Sequence, residues 1–418
     1  MDSRATTVGP DRASALLLAV CIAGYPIAAA LQALTGLGSR FFSVPYRGLV
    51  AFLALWVLVR AVARGWSGYT GTVWLPAGAF LLFYTFRVAT DTLFAPMSLG
   101  APVSDYLLIG LASSFLPMLA CFSIGDAFTV ERARQLTLGM ATVSAGAAIV
   151  LGLREIMQGN FLTVLTGRFG LQALNPISLG HLGATTSLLW MERLLSAGRT
   201  RVRVLQVAGV LLGVGVTALA GSRGPILALL LCTVLMVVVA RKRGQLLRGA
   251  TLAVVVSLFG VASALLAQQL GLGVIRRVEG VREDVSSIER VTLLRNAWDQ
   301  FLAQPILGSG LEERVSGSYP HNPVVEAFMA TGIVGGICYL LLLLAGTYAA
   351  LRLVKAAGSA AWIGVLLVQY LVGALLSGAV YSGTTLYPLL ASSVALASVL
   401  SCAQRAAHPA GSPVLASG

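Results

Sequence analysis

Long apolar runs dominate the hydrophobic pattern of the chain. They approach the length of about 20 residues that an α-helix needs to cross a bilayer, and they lack the alternating pattern of a membrane β-barrel. Twelve such runs cover about 13–34, 46–63, 71–94, 103–123, 136–156, 176–195, 203–221, 225–241, 249–269, 323–349, 361–379 and 384–403. The pattern predicts an all-α, polytopic membrane helix bundle with about 12 transmembrane helices, forming a single integral membrane domain over residues 1–418.

Composition excludes the other broad classes of protein. Of 418 residues, 57% are hydrophobic and 11% are charged, whereas a soluble domain has roughly 25% charged residues. A soluble enzyme, a disordered chain and a collagen-like repeat are therefore excluded. The five cysteines lie in apolar runs without CxxC or zinc spacing, so we interpret them as small hydrophobic side chains. We expect neither a metal site nor a cofactor.

The basic residues predict the orientation of the chain. The first run follows Arg4 and Arg12 and resembles a signal peptide, but its length and the later runs favour an uncleaved signal anchor. With the N-terminus inside, the inward connections hold 17 basic and five acidic residues, a net +12 of the total +13. Because cytoplasmic loops retain Lys and Arg, we expect both termini inside, including a cytoplasmic tail over 406–418. The positive charge then reports topology, and no nucleic-acid partner is expected.

One connection, residues 271–322, is long and lies on the outer side of this topology. Loops of such length are usually functional or disordered. An amphipathic helix is expected at about 286–303, where Arg290 and Arg295 flank an apolar face. That face consists of Val291, Leu294, Trp298, Phe301 and Leu302. Flanking arginines at headgroup level are typical of a helix in the membrane interface. A small helix packed on the end of the bundle would show the same apolar stripe.

Several outward helix starts carry the chemistry that binds anions. A proline lies near the first turn of five of them, at Pro45, Pro102, Pro176, Pro225 and Pro323. Free N–H groups at a helix start, together with arginine, favour phosphate binding. The outward arginines without an acidic neighbour in sequence are Arg47, Arg168 and Arg223. They either converge on one anionic group or extend separately to lipid headgroups. Asn322 is expected to cap the helix that begins at Pro323.

His321 is the sharpest single candidate for chemistry. It lies where the long loop meets the tenth run, and a helix start disfavours imidazolium, so a neutral ring could act as a general base. His181 and His408 are interpreted as structural or solvated. Glu312 and Glu313 are adjacent in the loop and are expected to be solvated. Arg87 and Asp91 are spaced for an intrahelical ion pair, which is more often structural than part of a transport relay.

The order of several short motifs resembles a known family. These motifs are Gly167-Arg168-Phe169-Gly170, Asn175-Pro176, Gly221-Ser222-Arg223-Gly224, the stretch from Arg290 to Gly310 with Trp298, Pro305 and Gly308, His321-Asn322-Pro323-Val324-Val325-Glu326, and Thr331-Gly332-Ile333-Val334-Gly335. In this order, over about 167–336, they resemble the O-antigen ligase and polymerase superfamily of bacterial inner-membrane glycosyltransferases.

The resemblance implies transfer of a glycan from undecaprenyl pyrophosphate to an acceptor hydroxyl on the periplasmic side. A pyrophosphate leaving group whose charge is stabilised by arginines needs no metal, and direct displacement predicts inversion at the anomeric carbon. A ligase uses lipid A-core oligosaccharide as acceptor, a polymerase uses another repeat unit, and a related branch uses a protein. The implied catalytic residues are His321, Arg223 and Arg290, with Arg276, Arg277, Arg282 and Arg295 as alternative loop arginines.

The expected substrate-binding residues are Arg47, Arg168, Asn175, Ser222, Arg295 and Asn322, of which Arg47 and Arg168 come from the helix-start argument. The expected partners are the undecaprenyl-pyrophosphate-linked glycan donor, the lipid A-core acceptor and membrane lipids. The single long outer loop favours a ligase over a polymerase. A lipid-linked glycan flippase is the non-enzyme alternative, which would instead place ionisable residues along a central pathway.

Overall fold

The computed structural model describes residues 11–65, 73–94, 99–160, 169–171, 173–196, 200–239 and 285–407. Within these ranges the chain is all-helical, with two isolated β-bridges and no β-strand, so the all-α prediction is confirmed there. The α-helices are α1 (Arg12–Thr35), α2 (Ser39–Ala63), α3 (Trp74–Ala89), α4 (Leu116–Cys121), α5 (Ala127–Glu155), α6 (Pro176–Ser196), α7 (Thr200–Ala220), α8 (Arg223–Val239), α9 (Val285–Ala303), α10 (Pro323–Ala356), α11 (Ala361–Ser377) and α12 (Leu386–Ala407). Three π-helical stretches, Thr90–Phe94, Asp105–Phe115 and Ile156–Asn160, continue α3, precede α4 and continue α5.

Six helices of the described chain are long and apolar enough to cross a membrane. They are Arg12–Thr35, Ser39–Ala63, Ala127–Gln158, Val202–Ala220, Pro323–Ala356 and Leu386–Gln404. Shorter apolar helices cover Asp105–Cys121, Arg223–Val239 and Ala361–Ser377. A multi-pass membrane protein follows, while the count of twelve spans stays a prediction. The predicted run at 249–269, the loop part 271–284, Arg168 and the tail residues 408–418 lie outside the described residues.

Proline marks some helix starts, but not all of those expected. α6 begins at Pro176, and α10 begins at Pro323 with Asn322 as its N-cap. The Asn322 Oδ1 atom accepts hydrogen bonds from the backbone N–H groups of Val324 and Val325 at 3.0 and 3.2 Å. The expected start of α2 at Pro45 is wrong, because the helix begins at Ser39 and contains the proline. The residues before Pro45 complete a first turn that apolar periodicity alone does not reveal.

Small residues let helices of the bundle approach closely. A Cβ atom on Gly183 of α6 would lie 2.6 Å from the backbone oxygen of Gly213 on α7, and one on Gly213 would lie 2.5 Å from the backbone nitrogen of Ser187. Larger side chains at these positions would separate the two helices. Close backbone approach through small residues is the usual way in which membrane helices gain packing contacts, because lipid supplies no hydrophobic driving force between them.

A buried ion pair between Arg87 on α3 and Asp91 on its π-helical continuation holds the residues that precede His321 in place. The Arg87 Nη1 atom lies 3.2 Å from Asp91 Oδ1, with side chains 13% and 4% exposed. The rest of the guanidinium donates to the backbone oxygens of Leu307, Gly308 and Ala330, each at 2.8 Å. The other oxygen of Asp91 accepts from Leu311 N–H at 2.8 Å. The predicted intrahelical pair is therefore confirmed, and it serves a structural role.

The same segment packs against a kink in α10. Gly332 has φ 69° and ψ −167°, and a Cβ atom there would collide with the backbone oxygen of Ile306. Gly308, with φ 70°, approaches the backbone of Ala330 so closely that a Cβ atom would lie 2.5 Å from its carbonyl carbon. The Ile333 N–H donates to the Pro305 oxygen at 2.7 Å, which provides a partner for a backbone group freed by the kink. Both glycines of the motif pattern thus have a packing reason.

Loss of the Arg87 guanidinium should loosen the segment 304–322. We expect Arg87→Leu to lower the free energy of unfolding by about 3–5 kcal/mol, because it leaves the Asp91 carboxylate buried without its cation. Thermal unfolding in detergent and the rate of proteolysis within 304–322 measure this. The control Arg60→Leu breaks a pair with Asp11 at 3.6 Å in which Arg60 is 37% exposed, and it should cost less than about 1 kcal/mol. Equal effects of the two variants would contradict a clamp at Arg87.

Candidate active site

His321 lies at the junction of the segment 304–322 and α10, in a strained backbone conformation. Its φ is 56°, a left-handed value that costs a non-glycine residue about 1–3 kcal/mol and persists only where surrounding contacts enforce it. The capped start of α10 follows directly, and the ring of Tyr319 lies 4.5 Å away between centroids. The buried Nδ1 atom has no hydrogen-bond partner in the described part of the chain. Such strain is typical of functional positions.

The surroundings of His321 favour the neutral imidazole. Burial lowers the pKa of its side chain below the ordinary value of 6.5, the positive charge of Arg290 lowers it further, and Glu289 partly opposes this shift. The lowered pKa agrees with the prediction of a neutral imidazole, but it is caused by burial and Arg290 and not by the helix start. Arg290 is half-buried on α9 and also acts electrostatically on Tyr319. The structure therefore brings Arg290 and His321 together.

Arg223 and Ser222 reach the same end of the bundle through the last turn of α11. A Cβ atom on the neighbouring Gly224 would lie 3.7 Å from the Leu376 side chain. One residue earlier, the Leu375 oxygen accepts from the Asn322 side-chain amide at 3.0 Å. The starts of α8 and α10 therefore meet at the end of α11, which we call the His321 end of the bundle. Ser222 is buried and Arg223 half-buried there.

Two expected substrate-binding residues have protein partners at this end. Arg47 has no acidic neighbour in sequence, but it forms an ion pair with Asp105 at 4.0 Å, with side chains 23% and 30% exposed. Asp105 lies 58 positions further along the chain, where sequence adjacency cannot reveal it. Asn175 accepts from the Ser178 N–H at 2.8 Å and caps α6. Its exposed side chain and that of Asn322 are engaged at helix starts.

The helix α9 covers Val285–Ala303, and its packing differs from the predicted stripe. Leu293, Ala297 and Phe301 are buried, and the ring of Phe301 lies 5.4 Å from that of Phe328 on α10. Of the predicted stripe, Val291, Trp298 and Leu302 are 65%, 43% and 57% exposed. One face thus packs on the bundle, while most of the predicted apolar face stays open. Arg295 is exposed on this helix.

Glu312 and Glu313 are buried, so the expectation that they are solvated is wrong. Glu312 is 4% exposed and accepts from the backbone N–H groups of Gly100 and Ala101 at 2.6 and 2.9 Å and from the Tyr106 hydroxyl at 2.7 Å. Glu313 is 1% exposed, and hydrogen bonds from Val315 and Ser316 lower the pKa of its carboxyl group although burial opposes this. These donors offset the cost of burial.

Glu326 provides a further anchor in the first turn of α10. Its side chain is fully buried, and Oε2 accepts from the Val380 N–H at 2.9 Å. This bond holds the segment 378–385 beside His321, because the ring of Tyr381 lies 6.0 Å from that of Tyr319. The ring of Tyr106 lies 4.9 Å from Tyr381 on the other side. Glu326 follows the His-Asn-Pro motif, which was its only signal in the sequence.

The site offers cations, hydroxyls and one imidazole, and no group of acids suited to a metal. Across the described ranges, no three His, Cys, Asp or Glu side chains are placed to hold a metal ion. The structure brings together His321, Arg290, Asn322, Ser222 and Arg223 near the end of α11. Arg168 lies outside the described residues. Such an arrangement could bind an anion and accept a proton.

The charge of Arg290 should set the proton affinity of His321. We expect Arg290→Gln to raise the pKa of His321, because a positive charge near the ring disfavours imidazolium. The pH dependence of diethyl pyrocarbonate modification at His321, followed by mass spectrometry, measures the pKa. Arg295→Gln, five residues further along α9, is the matched control and should leave the pKa unchanged. An unchanged pKa in Arg290→Gln, or equal shifts in both variants, would show that Arg290 does not act on the ring.

Comparison with known families covers this region of the chain. Residues 208–340 match the family model described as O-antigen ligase, a range that contains Arg223, Arg290 and His321 and runs from within α7 into α10. No curated protein matches the chain. The family match, over about a third of the chain, supports membership of this protein in the O-antigen ligase/polymerase superfamily.

Proposed function

We propose that this protein is an O-antigen ligase. It transfers O-antigen polysaccharide from undecaprenyl pyrophosphate to lipid A-core oligosaccharide on the periplasmic face of the bacterial inner membrane, without a metal ion. The observation that carries the proposal is the pairing of a strained imidazole at His321 with Arg290, inside the region that matches the O-antigen ligase family. The family match itself supports the coarser statement, a membrane enzyme of the O-antigen ligase/polymerase type.

The arginines suit the leaving group of this reaction. When the bond between the anomeric carbon and the pyrophosphate breaks, negative charge grows on the departing oxygen. Arg290 on α9 and Arg223 at the start of α8 supply positive charge and forked N–H donors for this oxygen. Stabilisation of charge that grows in the transition state is usually the largest catalytic contribution. The pyrophosphate is a good leaving group once its charge is stabilised, so the proposal assigns no step to a metal.

The imidazole suits the attacking hydroxyl. As the acceptor oxygen attacks the anomeric carbon, its proton passes to a ring nitrogen of His321, while the bonding electrons of the departing group pass to the pyrophosphate. A base must be neutral to accept a proton, and burial and Arg290 favour the neutral ring. Direct displacement at one carbon inverts its configuration. The opposite sides of the reacting carbon are thus served by His321 and by the arginines.

The charge distribution of the chain supports a periplasmic site. The predicted inward connections carry a net +12, and moving them across the membrane would oppose the positive-inside rule. His321, Arg290 and Arg223 then belong to the opposite side, where lipid-linked glycans are elongated and joined. The exposed apolar residues of α9, Val291, Trp298 and Leu302, fit a helix that rests at the lipid surface near this site.

A deletion strain tests the function itself. For a ligase, polymer still forms on its lipid carrier but no longer appears on lipid A-core. A polymerase would instead cause loss of chain length, and a flippase would cause single carrier-linked units to accumulate in the cytoplasm. Complementation with the intact chain restores surface polymer in each case, which makes the accumulated intermediate the deciding observation. Either of the last two results would overturn the ligase assignment.

Removal of His321 should stop transfer and leave donor binding in place. We expect His321→Ala to lower kcat by about 10²–10⁴-fold, the usual contribution of a general base, with little change in the Kd of the donor. In the intact protein the rate should fall as the pH drops below the pKa of His321, since the neutral form is present above it. His408→Ala is the control, because the sequence places His408 in the C-terminal tail. Full activity of a well-inserted His321→Ala protein would eliminate the base assignment.

Arg223 should not tolerate replacement by lysine. We expect Arg223→Lys to lose most transfer activity, because a single ammonium group cannot reproduce a two-pronged guanidinium contact to a phosphate. The same substitution at Arg314, which donates to the Ser309 oxygen at 2.9 Å, should be mild, since an ammonium group can make that single bond. Transfer rates of the two purified variants at saturating acceptor provide the comparison. Equal rates would exclude a specific role for the guanidinium of Arg223.

A further inference from the structure

A partly open cavity of about 210 Å³ with a mixed polar and apolar lining lies between helices of the bundle, beside the groups described above. It is lined by residues of α1, α2, α6 and α11 and by the segment 377–386. Its volume is more than ten times the roughly 10–15 Å³ that one water molecule requires on the same measure. The cavity is therefore large enough for a small organic ligand or for one part of a larger molecule.

The lining combines aromatic rings with hydroxyl groups and carries no formal charge among the described residues. Tyr25 and Tyr46 form one wall, with ring centroids 5.4 Å apart. Ser178, Ser377 and Thr384 contribute hydroxyls. No described lysine or arginine is part of the lining, so a phosphate group would have no direct cationic partner in the wall. An alkyl chain would offer no hydrogen-bond partner to the hydroxyls of the half-buried Ser377 and Thr384. A sugar ring fits both features, because its C–H face packs on aromatic rings and its hydroxyls form hydrogen bonds.

His181 contributes its ring to the lining of this cavity, although the sequence suggested only a structural or solvated role. The Gln369 side-chain nitrogen donates to the His181 backbone oxygen at 2.9 Å and to the Thr185 hydroxyl at 3.0 Å, and it lies 3.4 Å from the ring Nδ1 atom. These contacts hold the residue in place beside the cavity. The ring also stacks on Tyr370, 5.5 Å between centroids and 24° between planes. Gly373 leaves room for Nε2, where a Cβ atom would collide.

The position of the cavity connects it to the candidate active site. Ser377 and Gly378, at the end of α11, belong to its wall. Two residues before Ser377, the Leu375 oxygen holds the side chain of Asn322, and Leu376 contacts the start of α8 next to Arg223. Consecutive residues of α11 therefore contribute to the cavity wall and to the contacts that hold Asn322 and the start of α8. The cavity thus adjoins the candidate active site.

We propose that this cavity is a subsite for an uncharged sugar residue of one of the two glycan substrates, and this inference rests on the proposed function. His181 and the wall hydroxyls bind the sugar hydroxyls, and the tyrosine rings pack against its apolar face. A sugar bound in the subsite lies near His321, while the charged and lipid parts of the same substrate molecule stay outside the cavity. The sugar comes either from the donor glycan or from the acceptor oligosaccharide, which share this chemistry.

Steady-state kinetics with purified protein test the subsite and identify the source of the sugar. Ala374→Phe fills the cavity, and we expect it to raise the KM of one substrate at least tenfold. His181→Phe removes the ring nitrogens and keeps an aromatic ring, and a several-fold increase in the same KM is expected. Ala356→Phe, the same substitution at an exposed position near the end of α10, is the matched control and should change neither KM by more than twofold. The affected substrate, donor or acceptor, is the one whose sugar the cavity binds.

A binding measurement separates this proposal from the proposed function. Saturation-transfer NMR detects contact between the intact protein and two free probes, the oligosaccharide released from the polyprenyl carrier and the delipidated core oligosaccharide. We expect one probe to bind the unmodified protein and to lose contact in Ala374→Phe. That result without any transfer activity would refute the proposed function and leave the subsite standing. Normal transfer, with both KM values and probe binding unchanged in a folded Ala374→Phe protein, would overturn the subsite.

Discussion

The buried ion pair between Arg87 and Asp91 is the constraint on which the candidate active site depends. A buried pair is stable only when its remaining donors and acceptors are satisfied. Here they are satisfied by backbone groups of the segment 307–311 and of Ala330. The remaining hydrogen bonds of the pair therefore position the chain that leads to His321. Glu312 adds a second anchor to the connection before α4. A loop held in this way can keep a histidine in a left-handed backbone conformation.

Charge and strain at the His321 end have a common chemical consequence. The positive charge of Arg290 adds to burial in favouring the neutral imidazole of His321. In the proposed reaction, this one electrostatic arrangement would serve both the leaving group and the attacking hydroxyl. The Asn322 side chain caps α10 and also donates to the end of α11, next to the start of α8 that carries Arg223. These two contacts hold His321 and Arg223 at a fixed separation. Removal of any one of these contacts would alter the geometry of the others.

Local patterns in the sequence predict helices and caps, and they do not predict contacts between distant segments. The all-α fold, the Asn322 cap and the Arg87–Asp91 pair follow from short-range spacing. The burial of Glu312 does not, because its donor Gly100 lies 212 positions earlier. Asp105 beside Arg47 escapes detection for the same reason. On α9, periodicity located a helix, but the face that packs is decided by Phe328 on another element. The cavity around His181 is formed by four helices and a connecting segment, so no local motif predicts it.

We propose that this chain itself joins a lipid-linked glycan to lipid A-core. The most direct measurement incubates the purified protein with polyprenyl-pyrophosphate-linked glycan and lipid A-core, with a chelator present, and follows both lipids by mass spectrometry and the new linkage by NMR. We expect that glycan appears on lipid A-core, that polyprenyl pyrophosphate is released, and that the anomeric configuration is inverted relative to the donor. Growth of the glycan on its own carrier, retention of configuration, or the absence of any product would contradict it.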